Sequence, residues 1–177
     1  MTDLIAAETG IRQLHARCTD AVWRQDHDAF ADCFTHDAEW RISANIFRGR
    51  AEIRNAIERV LGNYRRVLIS FGTPILAVGE RAAAGRTYIN ERCAKNNGDT
   101  HISIGSYYER FAREADRWRF AWRLFQLHYR GPADLTGTFF DNPDYGAPPA
   151  MPPLDATTVD YAPAGLWLRR GPADAAG

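Results

Sequence analysis

Glu91 is the carboxylate whose neighbours in this sequence favour chemistry. Along the run Ala82–Ala94, Arg86, Tyr88, Asn90 and Arg92 share one face of a strand, and Thr87, Ile89, Glu91 and Cys93 share the other. The second set is the more apolar and belongs against a core. A carboxyl placed there loses hydration, its pKa rises, and it becomes useful as a general acid or base near neutrality. Its alternative role is a structural ion pair with Arg123 or Arg65. Arg123 alternates with Ala121, Phe125 and Leu127, so on a core-facing strand its guanidinium can bind a developing oxyanion or neutralise Glu91. The opposite set, Trp118, Phe120, Trp122 and Leu124, is equally apolar, which leaves the parity of that strand open. His15 stands on an apolar helical stripe with Ile11, Leu14, Cys18 and Val22, where it can shuttle protons or serve as a hydrogen-bonded core residue. Tyr108, on the face of Ile102 and Ile104, is a candidate hydrogen-bond donor toward the same interior, with a core role open to it as well. Ser70 has no His and Asp neighbours that would make it a nucleophile.

The elements that must position these groups follow from periodicity. The N-terminal third predicts helices: the stripe around His15, a short helix capped by Asp26 that carries Ala29, Phe30 and Cys33, and a third over 50–61 with Ile53, Ile57, Val60 and Leu61 on one face and Gly62 as its stop. Gly10 weakens the first helix by about 1 kcal/mol relative to Ala and blurs its start. Trp40 and Ile42, then Ile46 and Phe47, predict two short strands. Four longer strands follow over 66–78, 82–94, 101–112 and 117–129, joined by Gly79-Glu80, Asn96-Asn97-Gly98-Asp99 and Glu114-Ala115-Asp116. Connections this short impose antiparallel pairing. The expected fold is α+β: three N-terminal helices packed on a strongly curved antiparallel sheet, a cone-shaped barrel over residues 1–130. Residues 131–177 hold eight of the nine prolines yet keep Phe139, Phe140, Tyr145, Met151, Leu154 and Trp167. That composition predicts an extended arm packed on the domain or on a neighbouring subunit.

The chain has 177 residues, with 22 Lys+Arg against 22 Asp+Glu. Without clustered positive charge, nucleic acid is not an expected partner. No apolar run reaches the roughly 20 residues of a membrane span, and the first ten residues do not read as a signal peptide. Cys18, Cys33 and Cys93 are odd in number and widely spaced, which predicts reduced thiols in a cytoplasmic protein. The five histidines form no metal-ligand spacing, and no phosphate- or dinucleotide-binding glycine motif occurs, so neither a metal nor a cofactor is expected.

The segment Phe34–Trp40 (F-T-H-D-A-E-W), then Tyr108-Glu109-Arg110, Asp116-Arg117-Trp118-Arg119-Phe120 and Arg123, together with the order of elements, resemble the SnoaL-like branch of the nuclear transport factor 2-like superfamily over about residues 5–130. The superfamily includes ketosteroid isomerase, scytalone dehydratase, polyketide cyclases, a hexachlorocyclohexane dehydrochlorinase and non-catalytic β subunits of ring-hydroxylating dioxygenases, so fold does not settle function. The resemblance implies a cavity inside the cone. Its dehydratase and dehydrochlorinase members use an Asp near the end of helix 1 and a His on the third strand. Here those positions fall on Trp23 and Ser70, while the pocket positions Trp40 and Arg123 match. The leading expectation is a cofactor-independent lyase, isomerase or cyclase acting by proton transfer on an apolar, ring-containing small molecule. In it Glu91 or His15 moves the proton, Arg123 stabilises the oxyanion, and Trp23, Trp40, Ser70, Tyr108 and Phe125 form the substrate pocket. The alternatives are a non-catalytic ligand-binding protein or a structural β-type dioxygenase subunit. A homo-oligomer, dimer or trimer, is expected; a self-sufficient one with a closed aromatic cavity would count against the subunit reading.

Overall fold

The computed structural model describes residues 4–156. Helix α1 (Leu4–Arg24) buries Ile11, Leu14, His15, Cys18 and Val22, the predicted stripe. Gly10 lies inside this helix, because a Cβ there would come within 2.5 Å of Trp118 Cδ1; the glycine admits the indole. Helix α2 (His27–Asp32) is capped by Asp26, whose Oδ1 accepts the Ala29 N–H at 2.9 Å. Helix α3 (Gly49–Leu61) buries Ile53, Ala56, Ile57, Val60 and Leu61. All three helices cover one face of an unclosed sheet of eight strands: β1 (Phe34–Ile42), β2 (Asn45–Arg48), β3 (Tyr64–Phe71), β4 (Ile75–Val78), β5 (Ala82–Lys95), β6 (Thr100–Glu114), β7 (Arg117–Gly131) and β8 (Thr138–Phe139). The main path runs β2-β1-β7-β6-β5-β3, with β4 on β5 and β8 on β7.

Two expectations about the sheet are corrected. The sheet is mixed, since β1 pairs with β7 in parallel; short connections dictate direction only between sequence neighbours, and these two strands are joined through the rest of the fold. The run 66–78 is two strands rather than one. Gly72-Thr73-Pro74 interrupts it, and Pro74 has no N–H to offer a ladder.

The ambiguous parity of β7 has a structural cause. Phe111 pairs with Phe120 but Arg110 pairs with Trp122, so Ala121 is an extra residue on β7. Before this bulge Trp118 and Phe120 face the helices; after it Arg123, Phe125 and Leu127 do, while Trp122 and Leu124 point the other way. The outer apolar set does not meet water. Residues 132–156 cross it: Tyr145 and Met151 pack on Tyr108, Trp122 and Leu124. Gln126 Nε2 donates to Pro143 O at 2.9 Å, Arg110 to Pro152 O at 3.3 Å, and Arg41 to Ala156 O. The predicted arm continues past residue 156, and that remainder lies outside the described residues. No helix among the described residues is long and apolar enough to cross a membrane.

Candidate functional site

Between the helices and the concave face of the sheet lies a cavity of about 50 Å³, walled by Val22, Trp40, Ile57, Leu61, Phe125 and Leu127. Two polar rows cross the sheet beneath it. In the first, Ile69, Glu91, Ser103 and Arg130 stand in register across β3, β5, β6 and β7. Glu91 is half-buried on the cavity wall. Burial pushes its carboxyl up to about 7, against the opposing pull of Arg130, the Ser103 hydroxyl and Arg123. Arg130 Nη2 donates to Tyr64 Oη at 2.9 Å and to His101 Nε2 at 2.6 Å. Accepting from Arg130 suits a neutral imidazole, and burial with the Arg130 charge lowers His101 to about 4.

The second row is Glu109, Arg123 and Trp40 across β6, β7 and β1. Arg123 and Glu109 are fully enclosed, 1 % and 0 % exposed. Glu109 Oε1 faces Arg123 Nε at 3.0 Å and Nη2 at 2.8 Å; Oε2 accepts from Thr87 Oγ1 at 2.8 Å and lies 2.9 Å from His15 Nε2. Burial raises the Glu109 carboxyl, but His15, Arg123 and these hydrogen bonds together hold it below the ordinary range. The guanidinium is sandwiched between Tyr107, 3.6 Å from the ring centre, and Phe120 at 4.0 Å.

The structure therefore brings Glu91, Arg123, Trp40 and Phe125 to the cavity. Neither Arg123 nor Arg65 is the ion-pair partner expected for Glu91: the carboxylate bound to Arg123 is Glu109. His15 is buried behind the cavity with Nε2 turned to Glu109, stacked on Phe71 at 4.5 Å. Trp23 and Ser70 lie on the wall of a separate open groove between α1 and β3 rather than in the cavity, and Ser70 is exposed. The substrate-wall placement of both is corrected, because Trp23 sits at the edge of the helical stripe and Ser70 on the outward parity of β3. Tyr108 is also corrected. The residues of β6 that face the helices are Ser103, Tyr107, Glu109 and Phe111, so Tyr108 points to the arm, edge-on to Tyr145 at 5.4 Å. The isoleucines that suggested otherwise are half-buried on the outer face. Glu109, Arg130, His101 and Tyr64 are the polar groups that sequence reasoning missed. Glu109 alone had a visible signal, in the segment Tyr108-Glu109-Arg110. Among the described residues no group of three or more His, Cys, Asp or Glu side chains is placed to hold a metal ion.

A family profile for the SnoaL-like domain matches residues 3–123. Among solved structures, a variant of Rv3472, a Mycobacterium tuberculosis protein of unknown function, shares 25 % identity over 67 % of this chain and 70 % of its own, with a TM-score of 0.63. The hexachlorocyclohexane dehydrochlorinase LinA-type3 of Novosphingobium barchaimii LL02 shares 17 % over 78 % and 97 %, with a TM-score of 0.66. A Novosphingobium aromaticivorans protein provisionally named a scytalone dehydratase shares 15 % over 86 % and 96 %, with a TM-score of 0.68. No curated protein matches the chain. With the profile spanning more than half its length over the same helices and cone, this chain belongs to the SnoaL-like domain family.

Proposed function

We propose that this protein is a cofactor-independent lyase, isomerase or cyclase in which Glu91 moves a proton on an apolar, ring-containing small molecule held in the cavity. The carrying observation is a carboxyl raised by burial to about 7 that opens on the cavity, where the Ser103 hydroxyl and the Arg130 and Arg123 charges oppose the rise without pairing with it, so that it can accept a proton and give it back. The folds of a dehydrochlorinase and of a protein provisionally named a dehydratase support a lyase-type reading. In the reaction, Glu91 takes a proton from a carbon beside a carbonyl or a leaving group. It returns that proton elsewhere on the substrate in an isomerisation or cyclisation, or to the departing group in an elimination. Arg123 does not bind the oxyanion directly, being engaged by Glu109; its charge and that of Arg130 act on Glu91 through space. The free space holds only a few waters, so a ring enters as side chains of the wall move aside. Exposed Leu68, Ile75 and Tyr88 on the outer side of β3–β5 support assembly of two or three copies.

The test is a thermal-shift screen with polycyclic ketones, phenols, steroids and terpenoid lactones, followed by turnover of each hit by wild type and Glu91→Gln. Glu91→Gln should lower kcat by about 10²–10⁴, and the wild-type rate should rise with pH around 7. Equal rates would remove Glu91 from the mechanism. Ligand binding without turnover is the second reading, favoured because the family's dyad positions carry Trp23 and Ser70 and both lie outside the cavity. Hits that stabilise both proteins and are never converted would support it.

A further inference from the structure

Three arginines are buried among the described residues: Arg41, Arg123 and Arg130. Arg41 touches Glu39 and Arg123 touches Glu109, the pairing that a buried cation ordinarily needs. Arg130 has no carboxylate in ion-pair contact among the described residues, and it lines the cavity together with both of its hydrogen-bond partners. Those partners, Tyr64 Oη at 2.9 Å and His101 Nε2 at 2.6 Å, both engage Nη2. Both are neutral: burial keeps the Tyr64 phenol protonated, and burial with the Arg130 charge keeps the His101 ring unprotonated. A guanidinium carries five N–H donors, so Nε and Nη1 retain three, without a hydrogen-bond partner among the described residues. The negative charge nearest in effect is that of Glu91, acting through space.

This arrangement sets a condition on the proton transfer proposed for Glu91, on which the inference rests. When Glu91 accepts a proton, Arg130 loses that counter-charge while still buried, a costly state. The cost is avoided if the negative charge leaving Glu91 comes to rest on the ligand beside the guanidinium. A carbonyl group next to the acidic carbon does this. The C–H bond breaks and its proton forms an O–H bond on Glu91; the C–H electron pair becomes a C=C bond, and the carbonyl π pair moves onto oxygen as an enolate. Total charge is the same before and after, and return of the proton reverses each change. We propose that Arg130 is a catalytic residue, whose unpartnered N–H groups hold the carbonyl oxygen of an enolisable cyclic ketone and stabilise the enolate that forms there. The oxyanion role expected for Arg123 thus falls to Arg130.

4-Nitrophenol tests this, because its phenolate stands for the enolate and absorbs at longer wavelength than the phenol. It is titrated into the full chain at pH 6, where the free probe is mostly un-ionised, beside 4-nitroanisole, which cannot ionise. The expected result in wild type is saturable binding, roughly tenfold or more tighter than 4-nitroanisole, with the phenolate band appearing. Glu91→Gln should keep that band, since Arg130 holds the anion; turnover by the same variant judges the base separately. Arg130→Met should lose the band and the preference over 4-nitroanisole. Arg130→Lys, which keeps the charge without the planar fork, should keep the band at weaker affinity. Thermal melts of each variant show that it is folded. No binding up to 1 mM, equal affinity for 4-nitroanisole, or a probe bound un-ionised in wild type overturns the proposal. So does a band that survives in folded Arg130→Met, or one that disappears in Glu91→Gln.

Discussion

Replacing Arg123 by Met isolates what the buried pair with Glu109 contributes. Met keeps an unbranched apolar stem between Tyr107 and Phe120, so packing changes little and the loss is mainly electrostatic. Glu109 Oε1 faces Arg123, while Oε2 keeps Thr87 and His15. Removing one partner of a fully buried ion pair costs about 3–5 kcal/mol, because the other charge remains desolvated. At about 2–4 °C per kcal/mol for a domain of this size, Tm should fall by roughly 6–20 °C. Adding Glu109→Gln removes the stranded charge, so the double variant should be more stable than Arg123→Met by about 2 kcal/mol. The pH dependence gives an independent sign. In wild type the Glu109 carboxyl titrates lower in the folded state than in the unfolded, so its contribution is present above the unfolded carboxyl range and is lost as pH falls through the folded value. Without Arg123, burial raises the carboxyl and the order reverses; the deficit of Arg123→Met should then be larger at pH 7 than at pH 5. Urea melts of the three proteins at both pH values, with unchanged m, measure all of this. An Arg123→Met deficit below about 1 kcal/mol, or a double variant less stable than the single, would refute the reasoning.

Glu91→Gln should be more stable than wild type at pH 8 and equal to it near pH 5. A carboxyl raised from 4.5 to about 7 by folding takes stability away as pH rises through that window, by roughly 1–3 kcal/mol for a half-buried group at about 1.4 kcal/mol per pH unit; melts across pH 5–8 read it. Gly105→Ala should cost about 1–3 kcal/mol, because its Cβ would lie 2.5 Å from Phe125 Cε2 and 2.6 Å from Gln126 O. Chemical denaturation measures that loss, and since Phe125 walls the cavity, ligands from the screen should weaken in the same variant.

Local signals carried most of the fold. Asp26 announced α2 through its own side chain, and the turn residues between 82 and 129 announced the β5–β6–β7 meander. Pro74 was a break signal inside 66–78, and the even apolar spacing around it concealed it. The site was legible only where one strand sufficed. Glu91 could be placed from its own alternation. Glu109 could not, since its partners lie 14, 22 and 94 residues away, at Arg123, Thr87 and His15. Tyr108 misled because residues 132–156 make the outer face of the sheet as apolar as the inner one, and the same cover, together with the Ala121 bulge, left the parity of β7 open. Burial on both sides erases the polar alternation that normally marks which side is in.

Glu91 and Glu109 stand on the same concave face, and their surroundings drive them in opposite directions. Each is desolvated, and for each burial is the leading influence, raising the carboxyl. The difference lies in what opposes it. Glu109 has a cation and a histidine in direct contact, a hydroxyl completing its shell, and no opening to the cavity. It is held below the ordinary carboxylate range, and its work is to hold Arg123 and anchor the His15 ring. Glu91 has one hydroxyl and two cations acting through space, and it opens on the cavity. A carboxyl so arranged exchanges its proton near neutral pH, whereas a locked one does not. Environments that push two acids apart mark which of them can do acid–base work, and on this face that separation favours Glu91 for proton transfer and leaves Glu109 to order its neighbours.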